Sequence, residues 1–516
     1  MREVILSEFL LQKLERKGAT SLARQLYDVL RQLILAGDLG AGTKLPASRV
    51  LAKETALSRN TVLGAYEQLQ SEGYVVSTTG SGTFVSDTVP SLPLRHSDRT
   101  DVAAVVPAHL ALSRRGADLV RNAQASSVQW GAFTPSVPDV SLFPHEIWSR
   151  LTRRRWRKPD PALLTYSHGP GYLPLRTALA QHLRFARSVD CEPDQVIVTN
   201  GVHQSLSLIA GLLGDSNEVA WIENPAYWGA RTVLEANGLR VQPIHVDDEG
   251  MAPSEEQMQT PPRFMFVTPS HQYPLGTVMS LSRRRMLLEY AHRNNSWIIE
   301  DDYDSEFRYD GRPIASLQGL DSNERVIYLG TFSKTLFPGL RLSFMVVPRV
   351  LSVHFGTGLS ELYREGRLID QAVLADFMND GHYASHIRRM RTQYARRQTL
   401  LRDAILAQFG AGWPISTHEA GQHLVMHLPE GTDDVGIVLA ARSLGISLRP
   451  LSRYYAGGGG RAGLVLGYAC VPDDVIGPAF QKLVPAIVPA LEHVSRSRQQ
   501  PHKSSNMINE GAWSGA

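Results

Sequence analysis

Cysteine is almost absent. The 516 residues carry only Cys191 and Cys470. Two cysteines build no disulfide framework, and these two lack metal-ligand spacing. No apolar run approaches the roughly 18 residues of a membrane span. The N-terminus, MREVILSEFLLQ, brings an acid at residue 3 and has no small-residue cleavage site, so no secretion signal is expected. Excess charge is scarce as well. Lys and Arg number 53 and Asp and Glu 50, a formal net charge of +3. That excludes a broadly basic coat for nucleic acid and confines any DNA contact to a local patch. With 43% hydrophobic and 20% charged residues, the chain is not mostly disordered. A cytoplasmic protein with no membrane partner is expected.

The sequence divides into five stretches. Residues 1–19 are an N-terminal extension, and residues 20–86 read as a small self-contained unit. Residues 87–125 lose periodicity, as in TVPSLPLRHSDRTD, and read as a linker with room for a short helix near its end. Residues 126–494 alternate strand-like and helix-like runs. Residues 495–516 are polar and rich in Gly and Ser, and are expected to be a disordered tail.

In the small unit, Leu22, Leu26, Val29, Leu30, Leu33 and Ile34 recur at helical spacing. GDLGAGTKLP stops that helix, and RVLAKETA supplies a second. Ser58 is a natural N-cap for a third, whose apolar face is Val62, Ala65, Tyr66 and Leu69 and which Gly73 ends. YVVSTTGSGTFVS then reads as a hairpin around a glycine turn. Three helices and a hairpin in this span are the plan of a winged helix-turn-helix, an α+β fold. Its third helix presents Ser58, Arg59, Asn60 and Thr61 to the major groove. Arg suits guanine O6 and N7, and Asn suits adenine N6 and N7. The Gly80-Ser81-Gly82 tip lets backbone approach a phosphate or the minor groove.

The pattern resembles the GntR family of bacterial transcription factors. It is carried by Leu45-Pro46, Arg49, Ser58-Arg59, Thr61-Val62, Ala65-Tyr66, Gly73-Tyr74 and Gly80-Ser81-Gly82-Thr83-Phe84-Val85. The resemblance implies that Arg49, Ser58, Arg59, Asn60, Thr61 and Gly80 contact double-stranded DNA. One departure is Thr55-Ala56, where a glycine is usual in the turn.

The large unit has short apolar runs at 195–199, 219–222, 264–268, 297–300, 326–330 and 344–347. They read as strands buried on both faces, hence an α/β fold with a mostly parallel sheet. Ligands of such sheets sit beyond the strands' carboxyl ends, so the residues following each run are informative. Lys334 follows one run, with Thr331, Ser333 and Arg341 nearby. Hydroxyls and a guanidinium around one lysine suit a phosphate-bearing cofactor whose aldehyde the amine condenses with. Asp301 can pair with a pyridinium nitrogen, and Tyr303 can bond a ring's phenolic oxygen. Tyr227 can stack on a planar ring. The amides of Gly201, Val202 and His203 open a helix and can hold phosphate. Singly these are weak signals, since a strand-end lysine is usually a solvated surface residue.

Together, and in this order, they resemble the fold-type I pyridoxal 5′-phosphate (PLP) enzymes, the class I aminotransferases, from about Phe133 to Leu491. The resemblance implies Lys334 as the Schiff-base lysine, Asp301 as the pyridinium partner and Tyr303 as the phenolate partner. It assigns Thr331, Ser333 and Arg341 to the phosphate, together with Tyr166 reaching over from a second subunit. The fusion of the two units resembles the MocR subfamily of regulators, with TPSHQYPLGTVMSLSRR, IIEDDYDSEFRYDGRP, YLGTFSKTLFP and LGYA as its signatures. It implies a PLP-dependent regulator binding promoter DNA as a head-to-tail homodimer, its aminotransferase-like unit sensing PLP itself or an amino-compound effector. The alternative is an active aminotransferase with a DNA-binding head.

Two departures from the enzymes bear on the ligand. Tyr273-Pro274-Leu275-Gly276 stands where the enzymes carry Asn-Pro-x-Gly, and Gln272 is the candidate to replace the Asn contact to the ring oxygen. Val465 occupies the position of the enzymes' carboxylate-binding Arg. Arg449 is the first candidate for an effector carboxylate and Arg453 the next. His203 and His271 read as polar contacts near the site; no metal is expected.

Overall fold

The computed structural model describes residues 3–16, 20–78, 80–87, 112–121, 130–166, 169–309, 314–364, 367–416 and 420–499. The chain forms two compact units, Met1–Ala111 and Leu112–Ala516. We call them the head and the body.

The head contains α1 (Glu3–Lys13), α2 (Leu22–Leu35), α3 (Ser48–Glu54), α4 (Arg59–Ser71) and a hairpin of β1 (Val75–Thr78) and β2 (Gly82–Val85). Ser58 caps α4 as expected, its hydroxyl accepting from the Thr61 amide at 3.1 Å. Gly73, at φ +80°, ends it. The apolar faces of α2 and α4 meet in one core with Leu45, Leu51, Val75 and Val85. The sequence gives no sign of α1, yet Leu6 and Leu10 are fully buried in this core. Ala56 stands where the turn favours glycine and adopts φ +51°, a left-handed conformation that a Cβ makes unfavourable.

The body is built on an eight-stranded sheet. Its strands are β3 (Val196–Thr199), β4 (Val219–Asn224), β5 (Arg240–Asp247), β6 (Gly250–Met251), β7 (Phe264–Val267), β8 (Trp297–Asp302), β9 (Val326–Thr331) and β10 (Ser343–Val346), in the spatial order β3-β10-β9-β8-β7-β4-β5-β6. The run β9-β8-β7-β4-β5 is parallel, and β10 is antiparallel to both its neighbours. All four residues of β3, β7 and β10 are buried, which is why these strands read as unbroken apolar runs. A second, antiparallel sheet takes the order β11-β12-β14-β13, from β11 (Ile415–Ser416), β12 (His423–His427), β13 (Arg449–Pro450) and β14 (Gly463–Gly467).

The linker stretch has its short helix at Arg114–Arg121; residues 88–111 and 122–129 lie outside the described residues. The last helix, Asp473–Gln499, runs past residue 494, so the stretch expected to be disordered from 495 begins as helix. Residues 500–516 lie outside the described residues. Among the described residues no helix is long and apolar enough to cross a membrane.

Candidate functional site: a cavity at the carboxyl ends of the parallel strands

A cavity of about 330 Å³ opens in the body where β4, β7, β8 and β9 end. Eleven residues singled out in the sequence for the site line it: Gly201, Val202, His203, Tyr227, Asp301, Tyr303, Thr331, Ser333, Lys334, Arg341 and Arg449. Each arrives there by local geometry. Asp301 is the penultimate residue of β8. Thr331 ends β9 and caps the single turn Phe332–Thr335, which carries Lys334. Gly201 precedes the helix Val202–Leu213 at φ +127°, and a Cβ there would stand 2.9 Å from the Arg341 guanidinium. A glycine is therefore required for the helix start and Arg341 to share one wall.

Asp301 is 6% exposed, and its Oδ1 has no hydrogen-bond partner. Burial, reinforced by Asp302 and opposed by Lys334, pushes its pKa up to about 7. Burial lowers the Lys334 amine from its ordinary value, against the pull of Asp304 and Asp301. Lys334 Nζ donates to the Ser136 carbonyl at 2.9 Å. The Tyr303 hydroxyl lies 2.9 Å from His271 Nδ1, and that nitrogen lies 3.0 Å from Asp304 Oδ2. His271 is thus below the cavity wall, whereas His203 is in it, 2.9 Å from the Tyr227 hydroxyl. Burial, aided by Arg341, lowers the His203 pKa. The Thr331 hydroxyl accepts from the Ser343 hydroxyl and the Ser333 amide.

Three expected residues are elsewhere. Gln272 does not line the cavity. Its amide nitrogen is spent on Glu223, the Pro225 carbonyl (2.7 Å) and the Tyr273 carbonyl, and its oxygen accepts from the Leu275 amide. Tyr273, one residue on, lines the cavity in its place and bonds the Tyr454 hydroxyl at 3.0 Å. Arg453 is exposed, because the turn Leu451–Tyr454 points it outward and turns Tyr454 in. Tyr166 is 71% exposed with Arg364 over its ring, away from this chain's cavity. Thr134, Ser136, Trp228 and Thr268 also line the cavity and carried no sequence signal.

Arg449 on β13 pairs in register with Val465 on β14. Cross-strand partners share a sheet face, so a guanidinium on β13 faces the side where the enzymes would extend one from β14.

In the head, Arg59 and Asn60 are exposed on the first turn of α4, and Arg49 is exposed on α3. Ser58 and Thr61 bond each other at 2.8 Å, and Gly80 is exposed at the hairpin tip with φ +81°. The six residues expected at DNA are therefore at or near the head's surface.

Residues 22–85 match the gntR family of bacterial regulatory proteins, and residues 144–471 match class I and II aminotransferases. Over 481 residues the chain is 38% identical to the probable rhizopine catabolism regulatory protein MocR of Rhizobium meliloti, spanning 93% of this chain and 96% of that one. The chain belongs to the MocR subfamily of GntR-type transcriptional regulators. A second MocR-type relative, the pyridoxine biosynthesis transcriptional regulator PdxR of Corynebacterium glutamicum, is 30% identical over 89% of this chain and 94% of its own. The α-aminoadipate aminotransferase LysN of Thermus thermophilus, solved with a phosphopyridoxyl-leucine, superposes with a TM-score of 0.66 at 25% identity, covering 74% of this chain and all of that one. Kynurenine aminotransferase of Pyrococcus horikoshii superposes at 0.64 and 26% identity, over 74% of this chain and 96% of that one. The chain is thus a DNA-binding transcriptional regulator with an aminotransferase-like body of fold type I, and that family's fold implies PLP binding.

Proposed function

We propose that this regulator holds PLP in the body's cavity and changes its grip on promoter DNA when the cofactor, or an amino compound presented to it, occupies that cavity. The observation that carries the reading is the buried, partnerless Oδ1 of Asp301 in the same cavity as the Lys334 amine. An unpartnered buried carboxylate oxygen is costly, and a protonated ring nitrogen removes the cost. The other residues fit the group as well. Arg341, Thr331, Ser333 and the amides of Val202 and His203 are suited to a phosphate, Tyr227 to a ring face and Tyr303 to a phenolic oxygen. PLP supplies an aldehyde for amines and an electron-accepting ring. Lys334, whose amine burial shifts toward the neutral form, is the nucleophile for that aldehyde.

Arg449 is suited to the anionic end of an effector. Tyr166 of each subunit is assigned to the other subunit's phosphate in a head-to-tail homodimer. Arg49, Ser58, Arg59, Asn60, Thr61 and Gly80 are assigned to DNA, and the cytoplasm is the compartment. Ligand control of this kind requires the ligand to favour one arrangement of the two heads over another.

The test is binding of the full chain to DNA upstream of its own gene, at fixed salt, with and without PLP, for wild type and Lys334→Ala. Salt is fixed because phosphate contacts make affinity steeply salt-dependent. The reading expects wild-type affinity or footprint to respond to PLP, or to an amine in its presence, and Lys334→Ala to bind DNA without that response. An unchanged response in Lys334→Ala defeats it. Keto-acid product in excess of protein would favour the enzyme instead.

A further inference from the structure

The body's N-terminal segment, residues 130–143, forms part of the cavity wall through Thr134, Pro135 and Ser136. It is tied down on both sides of that wall. The Ala132 and Phe133 carbonyls accept from the amides of Ser447 (3.0 Å) and Gly467 (2.9 Å). The Asp139 amide donates to the Tyr394 hydroxyl at 2.9 Å, and its carboxylate accepts from Arg397 at 2.8 Å. Within this stretch two residues with side chains are left-handed, Phe133 at φ +69° and Ser136 at φ +57°. Such backbone persists only where its surroundings hold it.

At Ser136 the holding group is Lys334, whose Nζ donates to the Ser136 carbonyl at 2.9 Å. The Ser136 side chain is buried beside Tyr273, and its hydroxyl is turned toward that ring's hydroxyl and away from Lys334. A free or protonated lysine amine has two or three N–H groups for the carbonyl. Once the amine condenses with an aldehyde, one C=N bond replaces the C=O, a water leaves, no electrons are exchanged, and at most one N–H remains. With at most one hydrogen left, the nitrogen's hold on the Ser136 carbonyl would weaken.

Chain order makes this consequential. The head precedes residue 130, and the last helix described before it, Arg114–Arg121, lies against the helix Trp228–Ala236, whose first residue lines the same cavity. One described stretch that leads out of the linker therefore forms cavity wall, and the other lies against a helix that begins there.

We propose that Ser136 senses the Lys334 amine: its carbonyl is held while the amine is free and released when the amine is consumed, and the segment 130–139 passes that change to the chain leading to the head. The proposal rests on the reading that Lys334 takes up an aldehyde cofactor.

Amide hydrogen exchange of the full-length protein, with PLP as the probe, separates the two. In the wild type, PLP is expected to speed exchange at least threefold at the amides of Asp139, Ser447 and Gly467, which report the segment's ties. Lys334→Ala without PLP is expected to show that faster exchange already, and to gain nothing from PLP. Ser136→Gly, at home at φ +57°, is expected to show less than a third of the wild-type change. If absorbance shows PLP held by the wild type while these amides do not change, the sensing role is overturned and the cofactor reading stands. If PLP is not held, the cofactor reading fails. In that event the Lys334→Ala protein alone decides whether the amine restrains the segment, and exchange equal to wild type overturns it.

Discussion

Asp301→Asn is expected to stabilise the empty body and weaken its hold on PLP. Burial takes the Asp301 carboxyl from 3.8 to about 7. A folded-state pKa above the unfolded one means that the unfolded chain releases its proton first as pH rises. The penalty is absent below about pH 4, grows through the interval and is complete above about pH 7. At about 1.4 kcal/mol for each tenfold step, it reaches about 4 kcal/mol at pH 8. Asparagine keeps the shape and removes the charge, but its amide hydrogens also need partners, at a cost of about 1–3 kcal/mol. A net gain of about 2 kcal/mol remains. For a unit of about 400 residues the unfolding entropy makes that a rise of about 2–3 °C in melting temperature. The assay is thermal unfolding of the PLP-free protein at pH 5 and pH 8. Glu300, also buried and raised to about 7, is not among the charges acting on Asp301 and cancels in the comparison, whereas the repulsion from Glu223 is part of the penalty that the substitution removes. Added PLP is then expected to reverse the order, because the wild type alone offers a carboxylate to the ring nitrogen and ligand binding adds stability in proportion to RT ln(1 + [L]/Kd). A variant no more stable than wild type at pH 8, or a gain as large at pH 5, refutes the account of Asp301.

Two further outcomes follow from side-chain placement. Leu10→Ala empties a fully buried site between α1 and the head's core and is expected to cost about 3 kcal/mol; the temperature at which the full chain loses DNA should fall by more than 10 °C, and a fall under 3 °C would mean α1 is dispensable. Arg449→Leu is expected to abolish any response to an amino compound with an anionic end, while Arg453→Leu, on the exposed side of its turn, leaves the response within twofold; equal losses in DNA-binding titrations would contradict that division.

Legibility in the sequence tracked the physical strength of each signal. In the head, α2 and α4 are legible because a capping serine, a stripe at helical spacing and a following glycine agree. Strands such as β3 and β7 were legible because burial on both faces leaves uninterrupted apolar runs. The helix α1 was missed because its apolar residues surround the helix instead of forming one stripe. β11 and β13 have two residues each, too few to show a period. Of the site residues, those at strand ends and helix starts were legible, since fold class alone says where such ends point. Gln272 and Arg453 lie outside the cavity lining, while the next residue of each, Tyr273 and Tyr454, lines it. In both cases a tight turn decided which neighbour faces the cavity, and turn handedness is not written in residue type. Ser136 was invisible because its part is played by a backbone carbonyl.

The exchange of Val465 for an arginine on the next strand bears on why such a body suits regulation. An arginine on β14 would be flanked by β12 on one side and β13 on the other, held by the middle of the sheet. Arg449 lies instead on β13, the edge strand, and leads directly into the turn Leu451–Tyr454. That turn is bonded across to the large sheet's side of the cavity, through Tyr454 to Tyr273 and through the Ala226 amide to the Tyr454 carbonyl at 3.2 Å. An anion held at Arg449, the residue proposed above for an effector's charged end, would pull on an edge strand of two residues and on the contact between the two sheets. An edge strand has one hydrogen-bonded neighbour where a central strand has two, so moving it breaks fewer ladder bonds. A catalyst needs its carboxylate clamp fixed, because a misplacement of 1 Å is expensive in rate. A regulator needs the clamp to move.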